Sequence, residues 1–496
     1  MKNFKLRYLL VLAAIIFAAC SDDDNEIIIP PTDSIDPLAK KEMRAVWITT
    51  AWGIDWPMSD YTQTGQKKLY TDYLDKCVEL NINTIIMQIR PMGDAFYASS
   101  YEPWSAAITG TRGQNPGYDV LAFMIEETHK RGLEFHAWLN PYRIATRAGS
   151  TASYPALDPR INPEWVINHE KIQIYNPALP EVRDLLTNIV KEVITNYDVD
   201  GIHFDDYFYP DPSAAGVMVS DATDFETYGN GQYASIEDFR RANVDKAIQS
   251  VHDVIVNTKP GVLFSVSPAA SDTYNYGTLY ADVNKWCKEG WLDIVMPQLY
   301  SSTASSFKER AHWWPQFSYK AVPIIGHALY KFGETAKDAL AKADSLQFQT
   351  VDELDLQFAR TALEPKVKGN AMYSAKFLLE NKIGIIDKLA SIYKNPAVMP
   401  FIGRKTEADP TPATGVTISG SNLSWSAASN LRSVVYCFEY TTDANGNLIT
   451  IPAEVATVVT ITKDNSIALT AKGEYCITTL NGDNVESAIS DKVIYK

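Results

Sequence analysis

The stretch DVLAFMIEETHKRGLEFHAWLN, residues 119–140, reads as one helix followed at once by one strand. Asp119 is a capping residue, since its short carboxylate reaches the free N–H groups of a first helical turn. The helix ends near Arg131, and Gly132 stands where a left-handed closing residue belongs. In the strand, the two-residue period puts His136, Trp138 and Asn140 on one face. Working outward, the same alternation of a short β-rich run and a longer amphipathic segment extends from about Met43 to Ile392. The strand candidates are MRAVWITT, INTIIMQI, LEFHAWLN, GIHFDD, VLFSVSP, LDIVMPQLY, VPIIGHAL and NAMYS, each followed by a plausible helix. Pro180 suits the first turn of one of them. Eight βα units predict the α/β class and a (β/α)8 TIM barrel.

The barrel is expected over residues 42–404, ending at a Pro/Thr-containing linker, 405–413. From 414 to 496 short β runs follow without helices: VTISG, LSWSA, SVVYCFEYT, VATVVTIT, SIALTA, GEYCITTL and DKVIYK. With Trp425 early and Tyr475 in a later run, this segment resembles a fibronectin type III-like β-sandwich. At the other end, residues 1–19 carry a basic start (Lys2, Lys5, Arg7), an apolar run and small residues, the pattern of a signal peptide. Ala18-Ala19-Cys20 resembles a bacterial lipobox, so Cys20 is the expected lipidation site and the membrane is reached through its acyl chains. The linker 20–41 begins Ser21-Asp22-Asp23-Asp24, which resembles the acidic tract of many Bacteroidetes outer-membrane lipoproteins, facing the periplasm or the cell surface.

Across 496 residues, 46% are hydrophobic and 21% charged, which excludes a disordered or fibrous chain. The formal charge of -15, without a basic patch, excludes nucleic acid as a partner. Cys77 and Cys287 fall in helical patterns and read as buried small hydrophobes, whereas Cys437 and Cys476 lie in two strand-like runs where a disulfide is chemically permitted. The cysteines have no zinc-type spacing, and no cofactor or metal is expected.

The stretch VDGIHFDDYFYP, residues 199–210, ends the fourth strand candidate with two adjacent carboxylates, Asp205 and Asp206. A barrel keeps its chemistry on this rim, so the pair reads as catalytic rather than capping. Alternation puts His203 and Asp205 on one face, with Asp206 opening the loop. Arg90, Asn140, Tyr142, Arg143, Tyr207, Gln298, Tyr300, His327 and Tyr330, all at or just beyond strand ends, are expected to converge with His136, Trp138 and His203 on one substrate-binding mouth. Trp52 and Trp104 offer flat faces for sugar stacking. Glu102, Asp94 and Asp272 are further rim carboxylates.

RAVWITTAWGIDWP, QIRPMGDAFYASSYEPWSAAITGTRGQNPGYDVLAFMIEETHKRGLEFHAWLNPYR and GIHFDDYFYP together resemble the glycosyl hydrolase-like family 10 barrel, over about residues 43–400. The resemblance implies a glycosidase acting on a polysaccharide. Some members cleave peptidoglycan glycan chains stripped of stem peptides, which makes such denuded strands the expected substrate. The fourth strand is also similar to the DGxDxDxE signature of family-18 chitinases. Asp200-Gly201 and Asp205 match, but His203 replaces an aspartate, Asp206 takes an aromatic position and Tyr207 stands where the catalytic glutamate would be. A phenol, with an ordinary pKa of about 10, is too weak an acid for that role, so the proton donor lies elsewhere. Asp205 is then expected as the ionised partner and Asp206 as general acid, because one carboxylate raises the pKa of its neighbour. Glu102 or Asp272 takes the acid role if the two side chains diverge. The alternatives are a glycan-binding surface lipoprotein without turnover, a foraging glycosidase for non-bacterial polysaccharides, and a metal-dependent hydrolase built on His136, His203, Asp205 and Asp206.

Overall fold

The computed structural model describes residues 38–149, 151–334, 344, 346–442, 448–452 and 455–496. The signal peptide at 1–19, the lipidation site Cys20 and the linker up to residue 37 lie outside the described residues.

All eight strand candidates form strands: β1 (Met43–Ile48), β2 (Thr84–Arg90), β3 (Glu134–Leu139), β4 (Gly201–Phe204), β5 (Leu263–Val266), β6 (Ile294–Val295), a split β7 (Val322–Pro323 and Ile325–Ala328) and β8 (Gly369–Tyr373). Parallel pairing runs in order from β1 to β6, and β8 returns to β1. The first half of β7 pairs with β6 and its second half with β8, so the sheet curls round to meet itself at the split strand. A Cβ on Gly326 would lie 2.9 Å from the Pro297 carbonyl oxygen and 3.1 Å from the Trp47 ring, so the close approach there requires glycine.

Helices α1 (Gln63–Glu79), α2 (Val120–Lys130), α3 (Pro180–Asn196), α4 (Ile236–Thr258), α5 (Val283–Glu289), α6 (Phe307–Phe317), α7 (Asp352–Ala362) and α8 (Ile385–Ile392) follow the strands. Asp119 caps α2 by accepting from the Ala122 N–H at 2.9 Å, and Gly132 behind that helix has φ +73°. Pro180 opens α3. The strands are buried on both faces, as a closed parallel sheet requires. Ile85, Met87, Ile89, Phe135, Ala137 and Leu139 meet the helices in the outer core. Met43, Ala45, Trp47, Ile86, Trp138, Ile294, Met296 and Ala371 fill the barrel, with Met399 and Ile402 from beyond α8.

The C-terminal segment forms two antiparallel sheets. Thr414–Ser419, Asn422–Ser426 and Ser466–Ala468 make one; Arg432–Thr442, Leu448–Pro452, Thr457–Thr462, Gly473–Leu480 and Val493–Tyr495 make the other. The seven expected runs are all present, and Leu448–Pro452 is added to them. Leu423, Trp425, Val435, Cys437, Tyr475 and Ile477 pack together in one cluster. Val434, Tyr436, Phe438, Val458, Cys476 and Leu480 form a second cluster with Val398, against which Leu38 and Ala39 pack. Cys437 and Cys476 are therefore not bonded: Cys437 pairs with Tyr475 and Tyr436 with Cys476, which turns the two thiols to opposite faces of the sheet. Cys77 and Cys287 are buried, as expected.

Candidate active site

Asp205 follows the last residue of β4 and looks into the barrel mouth, where it is buried. Its carboxylate is fixed from β3 and from its own loop. Trp138 Nε1 donates to Oδ2 at 3.1 Å, Asn140 Nδ2 to Oδ1 at 2.9 Å, and the Tyr207 N–H to Oδ1 at 3.3 Å. The Asn140 side-chain oxygen in turn accepts from the Tyr142 and Arg143 N–H groups, which locks its amide with the nitrogen toward Asp205. Burial raises the Asp205 pKa to about 6, opposed by the Arg143 charge and by these donors.

Asp206 has the same chemistry in a poorer environment. Its Oδ1 is buried and accepts no hydrogen bond among the described residues. Burial, and next the Asp205 charge, push its pKa up to about 7, with the Gln298 side chain opposing. Two adjacent carboxylates thus differ because Asp205 is held by three protein donors, whereas one oxygen of Asp206 is left without any.

Beneath the pair, His203 is completely buried. Trp47 Nε1 donates to its Nε2 at 3.2 Å, so Nε2 is an acceptor and the neutral ring carries its proton on Nδ1, facing Ser265 Oγ at 2.8 Å. Burial holds its pKa well below the ordinary histidine value. The expectation that His203 touches substrate is corrected: it is the neutral underside of the site, occupied on both nitrogens. His136 lies one layer deeper still, with Nε2 3.3 Å from Glu134 Oε2. A Cβ on Gly201 would sit 2.4 Å from His136 Nδ1, so the ring is packed over the β4 backbone and not presented to the mouth. Among the described residues these histidines and the two aspartates do not gather into a metal-ligand set.

A cavity of about 80 Å³ opens over the pair, lined by Trp47, Trp138, Asp205, Asp206, Tyr207, Ser267, Gln298, Tyr300 and Tyr373. Trp138, Tyr207, Gln298 and Tyr300 are thus brought together as expected, and Tyr330 backs them with its ring centroid 5.9 Å from Tyr300 and 6.1 Å from Tyr373. Trp47, Ser267 and Tyr373 were not foreseen. Each lies at or beyond a strand's carboxyl end and points inward, so carrying the period of two through β1, β5 and β8 would have found them.

Several expected site residues lie elsewhere. Glu102 is completely buried in a bidentate ion pair with Arg90, at 2.7 Å and 2.5 Å, and also accepts from Tyr175 Oη at 3.1 Å. Neither Glu102 as acid nor Arg90 as a substrate ligand is available, because each neutralises the other. Arg90 also donates to the Asn140 carbonyl, so the pair braces the loop that carries Asn140. Asp272 accepts from Asn284 Nδ2 at 3.0 Å and lines no part of the cavity over the pair. Tyr142 is buried in the outer core, Trp104 packs against it, and His327 is held between Gln357 and Asn370, both at 2.8 Å. Asp94 lines a separate cavity of about 390 Å³.

The three cavities on this face share walls. Tyr207 lines both the chamber over the pair and one of about 230 Å³, and Trp52 lines both that chamber and the one containing Asp94. Trp52 is 65% exposed and Tyr207 47%, with Arg143 between them, 5.1 Å and 5.5 Å from the two ring centroids.

Known proteins resemble this chain in sequence. The family described as Glycosyl hydrolase-like 10 matches residues 42–340. The chain is 38% identical over 387 residues to the glycosyl hydrolase YngK of Bacillus subtilis, covering 73% of each chain. It is 35% identical over 411 residues to the glycosyl hydrolase DigH of Escherichia coli K12, covering 75% of this chain and 92% of that one.

Proposed function

The chain belongs to the glycosyl hydrolase-like 10 family, and from that premise we propose that it is a glycoside hydrolase using Asp206 as general acid and Asp205 as the ionised partner. The observation that carries the assignment is the asymmetry of the pair. Asp205 receives three donors, whereas Asp206 Oδ1 is buried and accepts no hydrogen bond among the described residues. Near neutral pH Asp206 retains a proton to give to a departing glycosidic oxygen, while Asp205 is charged and placed to stabilise or attack the oxocarbenium-like centre.

The chained cavities fit a polymer better than a single sugar, with Trp52 and Tyr207 as stacking faces between successive units. Denuded peptidoglycan glycan strands are the substrate this reading favours, since the family resemblance points to them. The same reading makes the protein an outer-membrane lipoprotein, anchored through Cys20 after removal of residues 1–19. It also makes the segment 414–496 a fibronectin type III-like module. Two features support the latter: Trp425 sits among the clustered apolar residues, and Tyr475 Oη donates to the Ala471 carbonyl four residues upstream at 2.6 Å.

The test is mass spectrometry of products after incubating the chain without its first 20 residues with denuded strands, intact peptidoglycan and a panel of plant and host polysaccharides. New reducing ends from the denuded strands alone are expected. Release only from other glycans would make the protein a foraging glycosidase, and tight binding with no release would make it a glycan-binding protein.

A further inference from the structure

Beside the carboxylate pair, the cavity of about 230 Å³ has walls that include Trp52, Arg143, Lys171, Tyr207, Ile172 and Phe208. Arg143 is only 6% exposed. Its Nε donates to the Pro91 carbonyl at 3.0 Å, and the rings of Trp52 and Tyr207 flank its guanidinium. Among the described residues its two terminal nitrogens donate to no protein acceptor and no carboxylate touches it, although its charge reaches Asp205. Lys171, exposed on the same wall, adds a second positive charge. The wall's own carboxylate, Asp211, is already engaged by the Ser213 N–H at 2.8 Å and Tyr274 Oη at 2.6 Å. Two other arginines as deeply buried are in complete ion pairs, Arg90 with Glu102 and Arg240 with Asp221.

Asp205 feels the Arg143 charge but makes no direct ion pair with it, so the planar fork of the guanidinium keeps donors free that match a carboxylate. Beside Thr146, Tyr209 and Asp211 the wall is made of Ile172, Ile174, Phe208, Pro210 and two alanines, and that apolar part suits a methyl group next to the carboxylate. We propose that this cavity is a subsite for a glycan unit bearing a free carboxylate, with the lactyl ether of muramic acid, a carboxylate next to a methyl, as its best chemical match. The proposal rests on the reading of Asp205 and Asp206 as a glycosidase pair. It explains a preference for denuded strands in chemical terms: a stem peptide turns the lactyl carboxylate into an amide and removes the charge that Arg143 and Lys171 would meet.

Binding is measured by calorimetry at low salt, on the chain without its first 20 residues and carrying Asp205→Asn to stop turnover. The probes are a denuded peptidoglycan tetrasaccharide, the same oligosaccharide with its lactyl carboxylates converted to methyl amides, chitotetraose and an oligogalacturonate. The free acid is expected to bind about tenfold more tightly than its amide or chitotetraose. Added Arg143→Gln or Lys171→Gln should reduce that preference to about twofold or less; Lys171 is exposed, so its replacement leaves the fold intact if Arg143→Gln does not. Tighter binding of oligogalacturonate than of the lactyl acid supports the carboxylate subsite and assigns its ligand to uronates. Equal binding of acid and amide, or a preference that survives both substitutions, overturns the subsite while leaving the glycosidase reading standing. A folded chain that binds none of these glycans overturns both.

Discussion

Asp206 keeps its proton near neutrality because burial withdraws water from it and Asp205 places a negative charge beside it. The proposed reaction needs Asp205 ionised, which is lost as pH falls through about 6, and Asp206 protonated, which is lost as pH rises through about 7. A bell-shaped kcat/KM with its maximum between those values is the expected profile, and a plateau extending well above pH 8 would remove Asp206 from the acid role. Asp205→Asn should bind glycan but lose turnover by about 10³-fold or more. Asp206→Asn should lose as much on polymer yet retain most activity on an aryl glycoside whose leaving group needs no proton, and there the alkaline limb should vanish. Stability moves the other way. A carboxyl whose folded pKa is raised costs nothing below its unfolded value; the penalty grows as pH rises from about 3.8 towards about 7 and is complete above that. Asp206→Asn should therefore match the native Tm near pH 3.5 and exceed it by about 2–4 °C at pH 8, read by thermal denaturation. At this scale the sequence exposed the pair and the neighbours on its own strand and on β3. It could not separate Glu102 from the site, because whether a rim carboxylate is free or paired depends on which loop folds over it.

The elements explain why that separation matters. Arg90 ends β2 and Glu102 lies in the following loop, and together they hold the Asn140 carbonyl whose residue orients Asp205. Glu102→Gln leaves Arg90 buried and unpaired, which should cost about 3–5 kcal/mol in denaturant unfolding. An acid role for Glu102 would instead abolish activity with stability preserved. Gly201 plays a comparable part in β4. Gly201→Ala would drive a methyl to within 2.4 Å of His136 Nδ1, and a loss of about 1–3 kcal/mol is expected from the overpacking. The elements were legible because helix caps, glycine stops and apolar runs act locally: Asp119 and Gly132 could be read without knowing their neighbours in space. The histidines were not. The period of two set His136, His203 and Asp205 on inward faces, but depth within a barrel depends on how neighbouring strands are staggered, and no pattern within one strand records that.

For the whole molecule, the long run Val434, Val435, Tyr436, Cys437, Phe438 carries its own message. A strand apolar at every position is buried on both faces. Here one face meets the cluster around Trp425, and the other meets Val398, Leu38 and Ala39 at the barrel's edge. Polar links reinforce the seam: Asn484 Nδ2 donates to Glu134 Oε1 at 2.7 Å, and Lys41 pairs with Glu486 at 2.8 Å. Glu134 is also the partner of His136, so the seam reaches the layer below the carboxylate pair. The Pro/Thr-rich composition of residues 405–413 pointed to a boundary between modules, yet that stretch is itself pinned, with Asp483 accepting from Thr406 Oγ1 at 2.6 Å and the Glu407 N–H at 2.7 Å. The C-terminal sheets should therefore unfold with the barrel. Phe438→Ala, which opens a hole in the seam, is expected to cost about 3–5 kcal/mol and to lower one shared calorimetric transition. A barrel transition left at its original temperature, with only a second one displaced, would mean that the two parts fold independently. Ending the chain at residue 404 would bare Val398 and leave Glu134 without Asn484, so the barrel alone should aggregate or melt below the full chain; a truncated barrel with native Tm and native glycan binding would make the C-terminal sheets dispensable.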